Sequence, residues 1–167
     1  MKDEGNRPTA SHAKKSVSED PVPTFSLSLA DETATEQLGA TLAQRLRPRD
    51  VVALKGELGA GKTTLARAIL RSASADPYLT VPSPTFTLVE VYSTPRGNFW
   101  HFDLYRLETP EQVFELGWED ALADGIVLIE WPERLGGLMP KHLGITLEVE
   151  GEGRRAILDT TVPAGDA

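Results

Sequence analysis

The chain predicts a three-layered α/β fold, with helices packed on both faces of a mostly parallel sheet that hairpins make mixed. Three observations carry this expectation. A short buried strand, Asp50-Val51-Val52-Ala53-Leu54, runs into a glycine-rich segment and then a helix over Thr64–Leu70. Two further apolar runs, Phe99-Trp100-His101-Phe102-Asp103 and Gly125-Ile126-Val127-Leu128-Ile129-Glu130, each end in a carboxylate. Helical periodicity alternates with these strands along the chain rather than being segregated from them.

The glycine-rich segment is Gly56-Glu57-Leu58-Gly59-Ala60-Gly61-Lys62-Thr63, which satisfies every fixed position of the phosphate-binding pattern G-x-x-x-x-G-K-[ST]. Its glycines let the backbone turn tightly and bring N–H groups against an anion, and the following helix adds its unsatisfied N–H groups and positive dipole end. Lys62 can reach the β and γ phosphates of a nucleoside triphosphate, and the Thr63 hydroxyl can sit on Mg²⁺. A plain glycine turn before a helix has no use for Lys-Thr at this spacing. The expected class is therefore a sandwich like that of the P-loop NTPases.

Composition bounds the rest. The 167 residues are 40% apolar and 25% charged, ordinary for one globular domain with a sizeable core. We expect a disordered tail over residues 1–20, which hold charged and small residues and almost nothing apolar, and one domain over 21–167. Without cysteine the chain has no disulfide, thiolate nucleophile or zinc-thiolate site. A formal charge of −8 opposes a broad nucleic-acid footprint, so any RNA connection is expected to run through a partner. No apolar run is long enough for a membrane span and the first twenty residues lack a secretory core, so a cytoplasmic protein without membrane contact is expected.

The elements follow in order. Thr24-Phe25-Ser26-Leu27-Ser28-Leu29 alternates polar and apolar and predicts an edge strand. Asp31 caps a helix whose apolar face is Ala34, Leu38, Leu42 and Leu46, and Pro48 ends it. That face predicts packing on the sheet, with the helix start placed near a nucleotide base as a further possibility. After the phosphate-loop helix, Val81-Pro82-Ser83-Pro84-Thr85-Phe86-Thr87 carries two prolines in three residues and predicts a stiff loop. Its hydroxyls suit either a γ-phosphate-sensing segment or a simple connector. A strand over Phe86–Tyr92 and the run Phe99–Asp103 predict a hairpin about Pro95-Arg96-Gly97-Asn98.

Thr109-Pro110-Glu111 opens a helix that presents Val113, Phe114 and Leu116 and stops at Gly117, leaving Trp118 as a core or anchor residue. Gly125–Glu130 is the second strand closing in an acid. Strand-end acids of this kind hold Mg²⁺ or orient the attacking water in phosphate-loop proteins. Ile145–Val149 and Arg155–Leu158 alternate as a final hairpin around Glu150-Gly151-Glu152-Gly153.

Gly56–Thr64, Ser83-Pro84-Thr85-Phe86, His101-Phe102-Asp103-Leu104-Tyr105-Arg106 and Ile129-Glu130-Trp131-Pro132-Glu133, in this order and spacing, resemble the TsaE family, formerly YjeE. The phosphate loop is generic; the other three blocks together are specific, and the resemblance runs from about Thr24 to Leu158. It implies a small ATPase required with TsaB and TsaD to make the threonylcarbamoyl group (t6A) at adenosine 37 of tRNAs reading ANN codons. It also implies that Gly59, Ala60, Gly61, Lys62, Thr63 and Thr64 cradle ATP, that Thr63 and Glu130 hold Mg²⁺, and that Asp103 is the acid linked with hydrolysis. By the same resemblance Ser83-Pro84-Thr85 is a switch-like loop, Trp131 lies near the nucleotide and Arg155 touches it. TsaB and TsaD are the implied partners, with tRNA met only through them.

The residues alone leave two rivals, a small-molecule kinase and a nucleotide-dependent switch without turnover. The kinase needs an arginine-bearing lid, for which only Arg134, Arg154 and Arg155 remain after residue 110. Guanine is disfavoured as the base because no N-K-x-D-like segment follows the phosphate loop. No arginine stands in an evident finger position, so hydrolysis is expected to be slow alone and faster with partners.

Overall fold

The computed structural model describes residues 24–161; the expected tail over 1–20 lies outside them. Seven strands form one sheet: β1 (Thr24–Leu29), β2 (Val51–Lys55), β3 (Val89–Thr94), β4 (Gly97–Asp103), β5 (Ile126–Glu130), β6 (His142–Glu150) and β7 (Gly153–Thr161). Their order is β1-β7-β6-β2-β5-β4-β3. The central four, β6, β2, β5 and β4, run parallel, and the antiparallel pairings lie at the two flanks, where hairpins and the returning β1 close the sheet. As expected, β1 is an edge strand.

Alternation along the buried central strands builds the layers. Val52 and Leu54 of β2 and Ile126 and Leu128 of β5 face helices α1 (Glu32–Arg45) and α2 (Lys62–Ala73). Val51, Val127 and Ile129 face the opposite layer, made of a 3₁₀ helix over Pro110–Leu116, helix α3 (Trp118–Asp124) and a second 3₁₀ segment over Pro132–Leu138. A strand with helices on both faces reads as a continuous apolar run, as these do. The Asp31 carboxylate caps α1 by accepting from the Ala34 amide at 2.9 Å. The two long helices cross closely at Gly39, where a Cβ would come within 2.5 Å of the Ala68 Cβ.

One local expectation needs correction, and one element is additional. The strand expected from Phe86 begins at Val89, because Thr85–Thr87 form a turn and Leu88 takes a left-handed conformation (φ 67°) that breaks the extended chain. The segment opened by Thr109-Pro110 is helical as expected, of the 3₁₀ kind. Gly117 ends it in a left-handed conformation and at once starts α3, an element the sequence did not predict. Trp118 is core, packed edge-on against Phe102 at 5.3 Å between ring centres.

Candidate functional site

The C-terminal ends of β2, β4 and β5 meet at one place. From β2 the chain turns through Gly56 (φ 145°), Gly59 (φ 82°) and Gly61 (φ 105°) before α2 begins. At Gly56 the need is also steric, since a Cβ would sit 2.6 Å from the Leu147 carbonyl oxygen. Gly61 caps α2 without a side chain, so the first-turn N–H groups are left for a ligand. Such a loop and helix start can bind an anion.

Lys62 is buried, and its ammonium donates to the carbonyls of Gly56 (2.5 Å) and Glu57 (2.9 Å) while lying 4.1 Å from the centre of the Trp131 ring. Burial lowers its pKa, opposed by the charges of Glu130, Glu133 and Asp103. Thr63 donates its hydroxyl to Glu130 Oε1 at 2.8 Å, and Glu130 Oε2 lies 2.6 Å from Nε2 of the fully buried His101. Parallel register sets Asp103 beside Glu130 at the ends of β4 and β5. Asp103 accepts from the Tyr105 amide and from the Ser83 hydroxyl, each at 3.1 Å, and Ser83 in turn bonds Thr85 at 2.9 Å. The proline-rich loop is thereby fastened to the strand-end acid.

Gly59, Gly61, Lys62, Thr63, Thr64, Asp103 and Glu130 all line one cavity of about 390 Å³. Ala60 lines an adjoining cleft of about 250 Å³ between the loop, the start of α1 and the β6–β7 turn. Arg155 lines neither. Its guanidinium pairs with Glu150 at 2.6 Å and donates to the Ser26 hydroxyl at 2.8 Å on the exposed flank. Its neighbour Arg154 is the residue that meets the loop, donating to the carbonyls of Ala60 (3.0 Å) and Gly59 (3.2 Å), and it borders both cavities. Strand alternation explains the exchange: Arg154 shares a face with buried Ala156, and Arg155 shares the other. The structure also brings His101 behind Glu130, two positions before Asp103 on the same strand face, where no spacing signal marks it.

Residues 29–157 match the family model of the threonylcarbamoyl adenosine biosynthesis protein TsaE. The tRNA threonylcarbamoyladenosine biosynthesis protein TsaE of Rickettsia felis is 42% identical over 130 residues, 77% of this chain and 75% of that protein. The protein of the same name from Nostoc is 40% identical over 134 residues, covering 76% and 80%. That from Aquifex aeolicus is 37% identical over 122 residues, covering 73% and 84%. Among solved structures, Bacillus subtilis YdiB superposes with a TM-score of 0.65 at 23% identity over 83% of this chain and 86% of its own, a likeness of fold. With the family match spanning most of the folded chain, this protein belongs to the TsaE family.

Proposed function

We propose that the chain binds Mg-ATP in the loop cavity, hydrolyses it slowly by itself and faster with partners, and so serves threonylcarbamoylation of adenosine 37 in tRNA together with TsaB and TsaD. The observation that carries the chemical part is the meeting of Lys62, the Thr63–Glu130 pair and Asp103 in one cavity over the start of α2. The biological part rests on the family and on the names its relatives bear.

The residues fit a magnesium ion bound with phosphates. Among the described residues no group of three His, Cys, Asp or Glu is arranged to hold a metal. A single hydroxyl and a single carboxylate at 2.8 Å are what a cation completed by phosphate oxygens and water requires. When bound, the ion would offset charge on the transferring phosphoryl group. Thr63 and Glu130 would hold it, and the loop N–H groups would cradle the β phosphate. Lys62 would leave the Gly56 and Glu57 carbonyls for the β and γ oxygens, where anionic charge favours its ammonium form. Asp103, steered by Ser83, would orient the attacking water. The base and ribose would enter the adjoining cleft beside Asp31, Glu32 and Thr35, with Arg154 at the junction.

Phosphate release from Mg-ATP, followed for the chain alone and with TsaB, TsaD and tRNA, tests this directly. Release that rises with the partners supports it. Nucleotide binding without release under either condition would replace turnover with a switch, and transfer to a small acceptor would indicate a kinase.

A further inference from the structure

Behind Glu130 stands a side chain that touches neither cavity. His101 is completely buried, and its Nε2 lies 2.6 Å from Glu130 Oε2. Its other nitrogen, Nδ1, is buried with no hydrogen-bond partner. An imidazole with an unpartnered buried nitrogen is a costly way to fill a core position that leucine would fill freely. What it adds is one donor at one carboxylate oxygen.

Glu130 has two oxygens and they face different ways. Oε1 takes the Thr63 hydroxyl at the cavity and Oε2 takes His101 from within the sheet. A carboxylate only accepts, so Nε2 carries the proton, and the bond blocks the carboxylate from rotating or presenting both oxygens to a ligand. The backbone holds the donor in place: His101 of β4 pairs in register with Leu128 of β5, one step below the Asp103–Glu130 pair, on the same face of the sheet.

We propose that His101 is a positioning residue for the divalent cation of the nucleotide site, holding Glu130 so that Oε1 alone, beside Thr63, is offered to the metal. This rests on the proposed Mg-ATP site. Buried donors behind a metal ligand fix its orientation, and losing one commonly costs 10- to 100-fold in metal affinity (an order-of-magnitude expectation).

The test is binding of a non-hydrolysable ATP analogue to the full chain, in excess magnesium and in EDTA, for wild type, His101→Leu and His101→Gln. Wild type should bind more tightly with magnesium. His101→Leu, which keeps bulk and removes the donor, should lose about tenfold of that magnesium-dependent gain. Its affinity in EDTA should stay within about twofold of wild type, since the loop N–H groups are untouched. His101→Gln restores an N–H donor and should recover most of the gain.

An equal loss with and without magnesium, or no loss at all, would overturn the proposal while leaving the nucleotide site intact. Absence of any magnesium effect in wild type would overturn the site reading and this inference together. Should His101→Leu not fold, the wild-type His101 side chain can be followed by ¹⁵N NMR. Its Nε2 resonance should move when the analogue is added with magnesium and stay in place when it is added in EDTA. Equal movement in both, or none in either, would again overturn the assignment.

Discussion

The parallel centre of the sheet and its antiparallel flank use the same residue types to different ends. At the ends of β4 and β5, Asp103 and Glu130 are buried and fully engaged by Ser83, Tyr105, Thr63 and His101. On the flank, Glu150 and Arg155 form an ion pair at comparable distance whose side chains are each 44% exposed. Burial decides what each pair is for. In the centre the carboxylates are desolvated and locally oriented, the condition for holding a cation or steering water. The flank pair is solvated, screened and contributes little. One flank residue escapes this contrast: Arg154 turns inward and grips the phosphate loop.

The largest way to break the comparison is at Asp103. Asp103→Asn keeps size and one acceptor oxygen for the Tyr105 amide, turns its other end into a donor toward the Ser83 hydroxyl, and removes the charge. It should lower partner-stimulated phosphate release by about 10²- to 10³-fold while leaving ATP affinity within about threefold, measured by turnover and by calorimetry on one preparation. If affinity falls as far as rate, Asp103 serves binding rather than the chemical step.

The two adjacent arginines sharpen the contrast further. Arg154→Ala should raise the ATP dissociation constant about tenfold, the scale of one charge-assisted contact, because it both frees the loop carbonyls and removes a cation from the junction of the two cavities. Arg155→Ala should change it by less than about twofold, given that its partners are Glu150 and Ser26. Reversed magnitudes would place the nucleotide on the opposite face of β7.

Gly39→Ala separates stability from binding. A methyl group forced against Ala68 must push α1 from α2 and should cost about 1–3 kcal/mol in urea unfolding, a larger effect on stability than on the ATP affinity of the folded protein. At the small end, Glu150→Ala should leave the melting temperature nearly unaltered. A clear drop there would mean the flank pair matters more than its exposure implies.

The centre was more legible than the flank for a physical reason. A phosphate loop needs particular residues at particular positions, and a buried parallel strand ending in an acid stands out as an apolar run, so Gly56–Thr63, Asp103 and Glu130 could be read directly. Ser83 lies in a stiff loop whose residues alone suit a sensing segment or a connector; the family resemblance favours the former, and its bond to Asp103 ties it to the strand-end acid. On the flank, a choice between Arg154 and Arg155 depends on strand parity. Buried Ala156 fixes the parity, but a shift of one residue in register reverses it, and the sequence pattern marks the hairpin only from Arg155 onward. His101 was invisible as a functional residue because its partner is 29 positions away on a neighbouring strand. Helix α3 was missed because Gly117 ends one helix and begins the next within a single left-handed residue.

The most direct test is calorimetric titration of Mg-ATP into wild type and Lys62→Ala. A phosphate site built around a buried ammonium predicts one ATP per chain for wild type and a loss of at least about 100-fold in affinity for the variant. Affinities within about twofold of each other would contradict it, and would put the nucleotide somewhere other than the loop between β2 and α2.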